Sequence, residues 1–237
     1  MNDPSGAFSP FGIKTLGFTV HDLPPEARHL LQTRGTRRRY RRDEEVQRRG
    51  VVPAHASWLL SGRLRCLTAQ PDGAELHGGW IMAQEIFGIN SLMLNTGSRM
   101  TIRVDVPECE VLHFSLDLLR EMVLNLPEAG VGVAVGLSKR LRQQFDMVSV
   151  VGERTLAGKL RAVLRWWSTH HGIPARDGSV ELWVGQGELA MGVGASRQRV
   201  HEELKRLRES GDIELAYRKV ILYPRFFEHL DSPAAPD

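Results

Sequence analysis

The chain has 237 residues, of which 42% are hydrophobic and 25% charged, with a formal net charge of +3. These proportions describe a soluble globular protein of one large or two ordinary domains, basic enough to meet nucleic acid but not so basic as to require it. No apolar run approaches the roughly 18 residues needed to span a bilayer, so no membrane partner is expected. The first residues, MNDPSGAFSPFGIKTLG, put Asp3 where an export signal needs positive charge and offer no apolar core. A cytoplasmic protein is therefore expected. Cys66 and Cys109 are too far apart for a CxxC metal site and read as two buried thiols, with a single disulfide as the alternative.

Residues 1–20 read as a flexible lead. A short helix is expected after Asp22, with Pro24 and Pro25 in its first turn. Residues 35–115 carry no long helical period. Short β-type runs (Ser57–Leu60, Arg63–Thr68, Glu75–Met82, Met100–Val106, Val111–Phe114) alternate with breaks such as Ser61-Gly62 and Pro71-Asp72-Gly73. This punctuation predicts a small antiparallel barrel or jelly roll. Arg34, Arg37, Arg38, Arg39, Arg41, Arg42, Arg48 and Arg49 crowd its first part. They read first as a solvated strand with its loops, partly paired with Asp43, Glu44 and Glu45. The sharper alternative is contact with an anionic effector or a polymerase.

Helical character returns at Leu116–Leu124, and a longer helix is expected from about Pro127 to Val151. Leu137, Leu141, Phe145 and Val148 form a seam along it at near coiled-coil spacing. Such a seam fits either the chain's own barrel or a second copy. We read it as a dimer seam. Residues 153–171 predict a further helix with Leu156, Leu160, Val163, Leu164 and Trp167 on one face. Ile173–Gly178 reads as a loop and Val180–Val184 as a short strand.

The most informative stretch is QGELAMGVGASRQRVHEELKRL, residues 186–207. Leu189 and Val193 mark the apolar side of one short helix. Gly194 supplies a sharp corner, and Ser196 can cap a second helix. In that helix Val200, Leu204 and Leu207 recur at i, i+4, i+7. Gln198 and Glu202 point away from this stripe, flanked by Arg197, His201 and Lys205. Arg, Gln and Glu suit guanine, adenine and the cytosine amino group respectively. The same periodicity fits a plain αα-hairpin with a solvated face. The segment after the second helix favours a DNA reader: Ile213–Leu215, a corner at Arg218-Lys219 and Val220–Leu222 read as a hairpin wing. Arg199, Lys205, Arg206, Arg218 and Lys219 are then the expected phosphate anchors.

The order of barrel, long helix and winged helix-turn-helix resembles the Crp/Fnr family over roughly residues 22–224. Three segments carry the likeness: Trp58-Leu59-Leu60-Ser61-Gly62-Arg63-Leu64-Arg65; Glu85-Ile86-Phe87-Gly88 followed by Ser91-Leu92-Met93; and Glu188-Leu189-Ala190 through Ser196-Arg197-Gln198-Arg199-Val200. The resemblance implies an α+β architecture. It would comprise the lead 1–20, a cyclic-nucleotide-binding-like β-roll over 21–126, a dimerisation helix over 127–152 and a winged helix-turn-helix over 153–237. It also implies a homodimer on double-stranded DNA, with RNA polymerase as a further candidate partner.

Departures from the family pattern are informative. Cyclic-nucleotide-responsive members hold ribose and phosphate with Gly-Glu and Arg-Ser pairs. Here Gly88 and Arg99 remain, but Ile89 and Met100 replace the Glu and Ser, and Gln144 and Phe145 stand where the purine-contacting hydroxyls align. Ile cannot accept and Met cannot donate the required hydrogen bonds, so cyclic nucleotide control is not expected. The N-terminal cysteine cluster of iron–sulfur sensing is missing. His55, His77 and His113 are the candidate haem ligands, each reading first as an ordinary surface or core histidine. His170 and His171 read as a helix end. No cofactor or metal is expected. In the recognition helix, Gln198, His201 and Glu202 depart from the residues common in relatives, which predicts a different half-site. Gly152–Lys159 has one residue too many between its glycines for a P-loop. The alternatives are a cyclic-nucleotide- or haem-responsive regulator of the same family, or a small β-barrel enzyme with a helical tail. No catalytic spacing supports the enzyme.

Overall fold

A computed structural model describes residues 18–69, 73 and 75–228, with the side chains of all except 146–151. Most of the lead expected over 1–20 lies outside the described residues. Its last part does not run loose: Phe18 and Val20 are buried. The chain divides into two units, one running to Gln143 and one from Gln144 onward. No helix among the described residues is long and apolar enough to cross a membrane.

The first unit starts with a 3-10 turn, Val20–Asp22, and α1, Pro25–Arg34. Pro24 caps α1 and Pro25 opens it, where a missing N–H costs nothing. Eight strands follow: β1 Thr36–Arg41, β2 Glu45–Gln47, β3 Ala56–Ser61, β4 Arg63–Ala69, β5 Glu75–Met82, β6 Ile86–Phe87, β7 Thr101–Val104 and β8 Glu108–Phe114. A short helix, α2 (Ile89–Leu94), interrupts them, and α3 (Leu116–Asn125) and α4 (Pro127–Gly152) come after. The strands form two antiparallel sheets, ordered β1-β8-β3-β6 and β2-β7-β4-β5.

Two hydrophobic layers hold this unit. The inner one joins both sheets through residues such as Leu59, Leu64, Ile81, Ile102, Val104 and Val111. The outer one lies between the first sheet and the helices, with Trp58, Leu112, Phe114, Met122 and Val133. β8 feeds both layers, Cys109 and Val111 the inner one and Leu112 and Phe114 the outer one. β1 is the solvated strand expected among the arginines: TRRRYR buries only Tyr40. It is an edge strand whose register on β8 runs from Thr36↔His113 to Arg41↔Glu108, and charge on an edge discourages further pairing.

α4 turns two different sides outward and inward. Gly132 and Gly136 face the 3-10 turn, where a β-carbon would strike the Asp22 backbone and the Phe18 ring. Lys139 pairs with Asp22 at this contact. On the other side Val131, Val135, Leu141 and Phe145 are exposed. Leu137, expected in the seam, is partly buried against the unit's own core, and the Val148 side chain lies outside the described residues.

The second unit contains α5 Leu156–His171, β9 Ile173–Pro174, β10 Val180–Leu182, α6 Gln186–Val193, α7 Arg197–Glu209, β11 Ile213–Ala216, β12 Lys219–Leu222 and α8 Pro224–Glu228. Its sheet runs β11-β12-β10-β9, all antiparallel. The stretch Ile173–Gly178, expected as a loop, starts with two residues that pair with β10. Leu160, Val163, Leu164 and Trp167 of α5 are buried, as are Leu189, Val200, Leu204 and Phe226.

Candidate nucleic-acid interface

α6 and α7 meet at a tight corner. Gly194 takes φ +66°, a left-handed conformation that a β-carbon makes costly, and its N–H donates to Ala190 O. The Ser196 hydroxyl accepts from Arg199 N at 3.4 Å and starts α7. Val200, Leu204 and Leu207 are buried. Arg197, Gln198, Arg199, His201, Glu202, Lys205 and Arg206 are all exposed.

The exposed side chains are held loosely. Gln198 Nε2 donates to Glu202 Oε1 at 3.4 Å. Arg206 pairs with Glu203 at 2.6 Å and Lys205 with Glu209 at 3.7 Å. The Lys205 pair is exposed on both sides and is worth about 0–1 kcal/mol, so a phosphate can replace its carboxylate cheaply. His201 Nδ1 lies 3.3 Å from Gln186 Oε1. The Arg197 guanidinium lies over Gly187, where a β-carbon would come within 2.7 Å of it. Gly187 thus leaves the room that Arg197 occupies.

The hairpin of β11 and β12 differs from expectation at one anchor. Lys219 Nζ donates to Glu181 Oε1 at 2.8 Å and sits 5.4 Å from the centre of the Trp183 ring. It is engaged rather than free in solvent. Cross-strand register explains this: Leu182 faces Val220, which brings the neighbouring chain segments together. Arg218, at φ +52°, reaches Glu188 at 3.9 Å and stays mostly exposed. Sequence reasoning missed two aromatics here. Tyr217 at the hairpin tip is 90% exposed and Trp183 is half exposed. Their only sequence signal is a large aromatic beside a polar corner.

The residues expected around an effector sit in the first unit, apart from Gln144, which is an exposed residue of α4. Gly88, at φ +84°, precedes α2, Ile89 is buried, and Arg99 is exposed. Met100 packs on the inner core. The space beside Gly88 holds Gln47, whose Oε1 would lie 3.1 Å from a β-carbon at Gly88. Gln47 Nε2 donates to Ser98 Oγ at 2.6 Å, and Ser98 Oγ donates to Met100 O at 2.7 Å. These polar groups satisfy one another without a ligand.

The three candidate haem ligands are differently placed. His113 has both ring nitrogens engaged, Nε2 with Tyr40 Oη at 2.8 Å and Nδ1 with Ser57 Oγ at 2.9 Å. Burial holds its pKa down to about 4. His77 is buried, accepts from Gly79 N at 3.0 Å, and is likewise held down to about 4 by burial. His55 is exposed.

His77 gives a pH prediction. Its folded pKa is below the unfolded value of about 6.5, so the unfolded chain binds protons first. Stability from this residue is intact above about pH 6.5 and is lost as pH falls towards 4. The full loss should be about 3 kcal/mol, with His113 adding in the same direction. Urea unfolding midpoints at several pH values check this. His77→Gln should flatten the decline, and an unchanged slope would assign it to other groups.

Residues 37–125 match the cyclic nucleotide-binding domain family. The CRP-like protein Clp of Xanthomonas oryzae pv. oryzae (strain PXO99A) is 25% identical over 192 residues, 79% of this chain and 84% of that protein. The solved c-di-GMP-responsive regulator CLP of Xanthomonas campestris superposes with TM-score 0.69 at 22% identity, covering 84% of this chain and 99% of that one. A CRP-family transcriptional regulator of Thermus thermophilus gives TM-score 0.62 at 25% identity, covering 82% and 97%. Over most of its length the chain is similar to transcription regulators of the Crp/Fnr type.

Proposed function

We propose that this regulator acts as a homodimer on an inverted-repeat operator, with α7 of each copy in successive major grooves about 34 Å apart. One observation carries the reading. The Gln198–Glu202 side of α7 is exposed while Val200, Leu204 and Leu207 fix its other side to the body. Arg197, Gln198, His201 and Glu202 read bases, and Arg199, Lys205, Arg206 and Arg218 meet phosphates. Lys219 contributes only on release from Glu181.

Selection of duplexes from a random pool tests this. The expected product is an inverted repeat whose half-site differs from the ordinary catabolite-type one, because Glu202 accepts from a cytosine amino group. Recovery of that ordinary half-site, or no enrichment, would sink the proposal. Arg197→Ala should cost about 1–3 kcal/mol of discrimination. Arg199→Ala should weaken all sequences evenly and lower the salt slope by about one. Lys219→Ala should change that slope less.

The regulator is further proposed to work without cyclic nucleotide. Ile89 and Met100 offer none of the required polar contacts, and Gln47 and Ser98 satisfy each other beside Gly88. Calorimetric titration with cyclic AMP and cyclic GMP should show no binding at micromolar concentrations. Micromolar or tighter affinity would overturn this part alone.

A further inference from the structure

A cleft of about 510 Å³ opens in the first unit between β1, residues 46–55 and the end of β8. That volume suits a small organic ligand. Its floor is fixed, because His113 is clamped between the Tyr40 and Ser57 hydroxyls. Its walls are of two kinds. Arg38 supplies a cationic one: its guanidinium lies 4.6 Å from the Tyr40 ring centre, and it makes no ion pair among the described residues. Arg48 also borders the cleft, with Glu45 at 2.7 Å. Among the described residues no carboxylate lines the cleft. Val51 and Val52 supply an apolar wall and are about half exposed.

Each wall lacks what the other cannot give. Arg38 also borders a neighbouring hollow with Asp43, Glu44 and Glu45 but pairs with none of them, so it can take an anion on the cleft side, and two adjacent exposed valines gain by being covered. We propose that this cleft binds a small amphipathic anion, its carboxylate, phosphate or sulfonate on Arg38 and its apolar body on Val51 and Val52. Gly88, Arg99 and Met100 do not line the cleft, which adjoins the Gly88 position through Gln47 and the His55 backbone. It stands independently of the DNA-binding proposal.

Two fluorescent probes of nearly the same apolar shape test it on the full chain. 8-Anilinonaphthalene-1-sulfonate carries an anion, and N-phenyl-1-naphthylamine does not. The sulfonate should saturate at one site per chain and bind at least tenfold more tightly than the neutral amine. Arg38→Gln should weaken the sulfonate about tenfold and spare the amine, and Arg38→Lys should restore most of the loss. Val51→Ser with Val52→Ser should weaken both probes. Arg37→Gln, on the opposite face of the same strand, should change neither. Thermal melts confirm that each variant is folded. Sulfonate affinity unchanged in Arg38→Gln, an equal loss in Arg37→Gln, or equal affinity for the two probes would each overturn the proposal.

Discussion

Replacing Leu141 and Phe145 together by aspartate is expected to leave each chain folded, abolish dimers, and lower operator affinity by two orders of magnitude or more. The reason lies in the two-sided character of α4. Leu141 is 57% and Phe145 66% exposed, and with Val131 and Val135 they lie along one side of the helix. Ala129 and Val133 face the other way and are buried in the unit's own core. Aspartates on the free side cost little in a lone chain. Between two copies they would bring like charges together out of water. A lone copy then meets one half-site, and the gain of about 10² to 10⁴ from linking two binding events disappears. Sedimentation velocity and a gel shift measure the two effects, with circular dichroism as the folding control. A variant that still dimerises and binds as before would place the interface elsewhere. Leu137 is left untouched because it packs partly inward; replacing it would confuse dimer loss with unfolding.

Asp212→Ala should destabilise the second unit by about 3–5 kcal/mol, the range for removing one partner of a buried ion pair. Asp212 is 1% exposed and sits where α7 gives way to the wing. One carboxylate oxygen accepts from Arg161 Nη2 at 2.6 Å and from the Ser210 hydroxyl at 2.9 Å. Arg225 approaches the other at 3.7 Å. Its backbone N–H donates to Leu207 O and its carbonyl accepts from Tyr223 N, each at 3.0 Å. One residue therefore ties α5, α7, the end of β12 and α8 together. Without it Arg161 keeps a largely buried charge and loses its near partner. Urea unfolding followed by tryptophan fluorescence measures the loss. Replacing both partners, by Arg161→Met with Asp212→Leu, should recover much of it, since no charge is then stranded. A cost below about 1 kcal/mol for Asp212→Ala would show that the cluster adds little.

The recognition unit was legible because its logic is local. Val200, Leu204 and Leu207 repeat at helical spacing, and Ser196 and Gly194 carry their conformations in their own chemistry. The β unit was legible in its inner strands, whose apolar runs stand between glycine and proline breaks. β1 was legible only as a solvated strand without bounds, because an edge strand buries one residue in six. What the sequence could not show was decided by partners far along the chain. Lys219 meets Glu181 across 38 positions, and Gln47 meets Ser98 across 51. Asp212 carried no signal, since an acidic residue in a Gly-Asp turn is ordinary until four elements are seen to converge on it.

The missing β-carbons at Gly132 and Gly136 reach further than local fit. They let the long rod lie flush against Phe18 and Asp22, so its back is clasped by residues 18–22 while its front stays bare, as the proposed pairing of two copies needs. Bulk added at either glycine would prise that clasp apart, and the disturbance would be felt on a face the altered residue never touches.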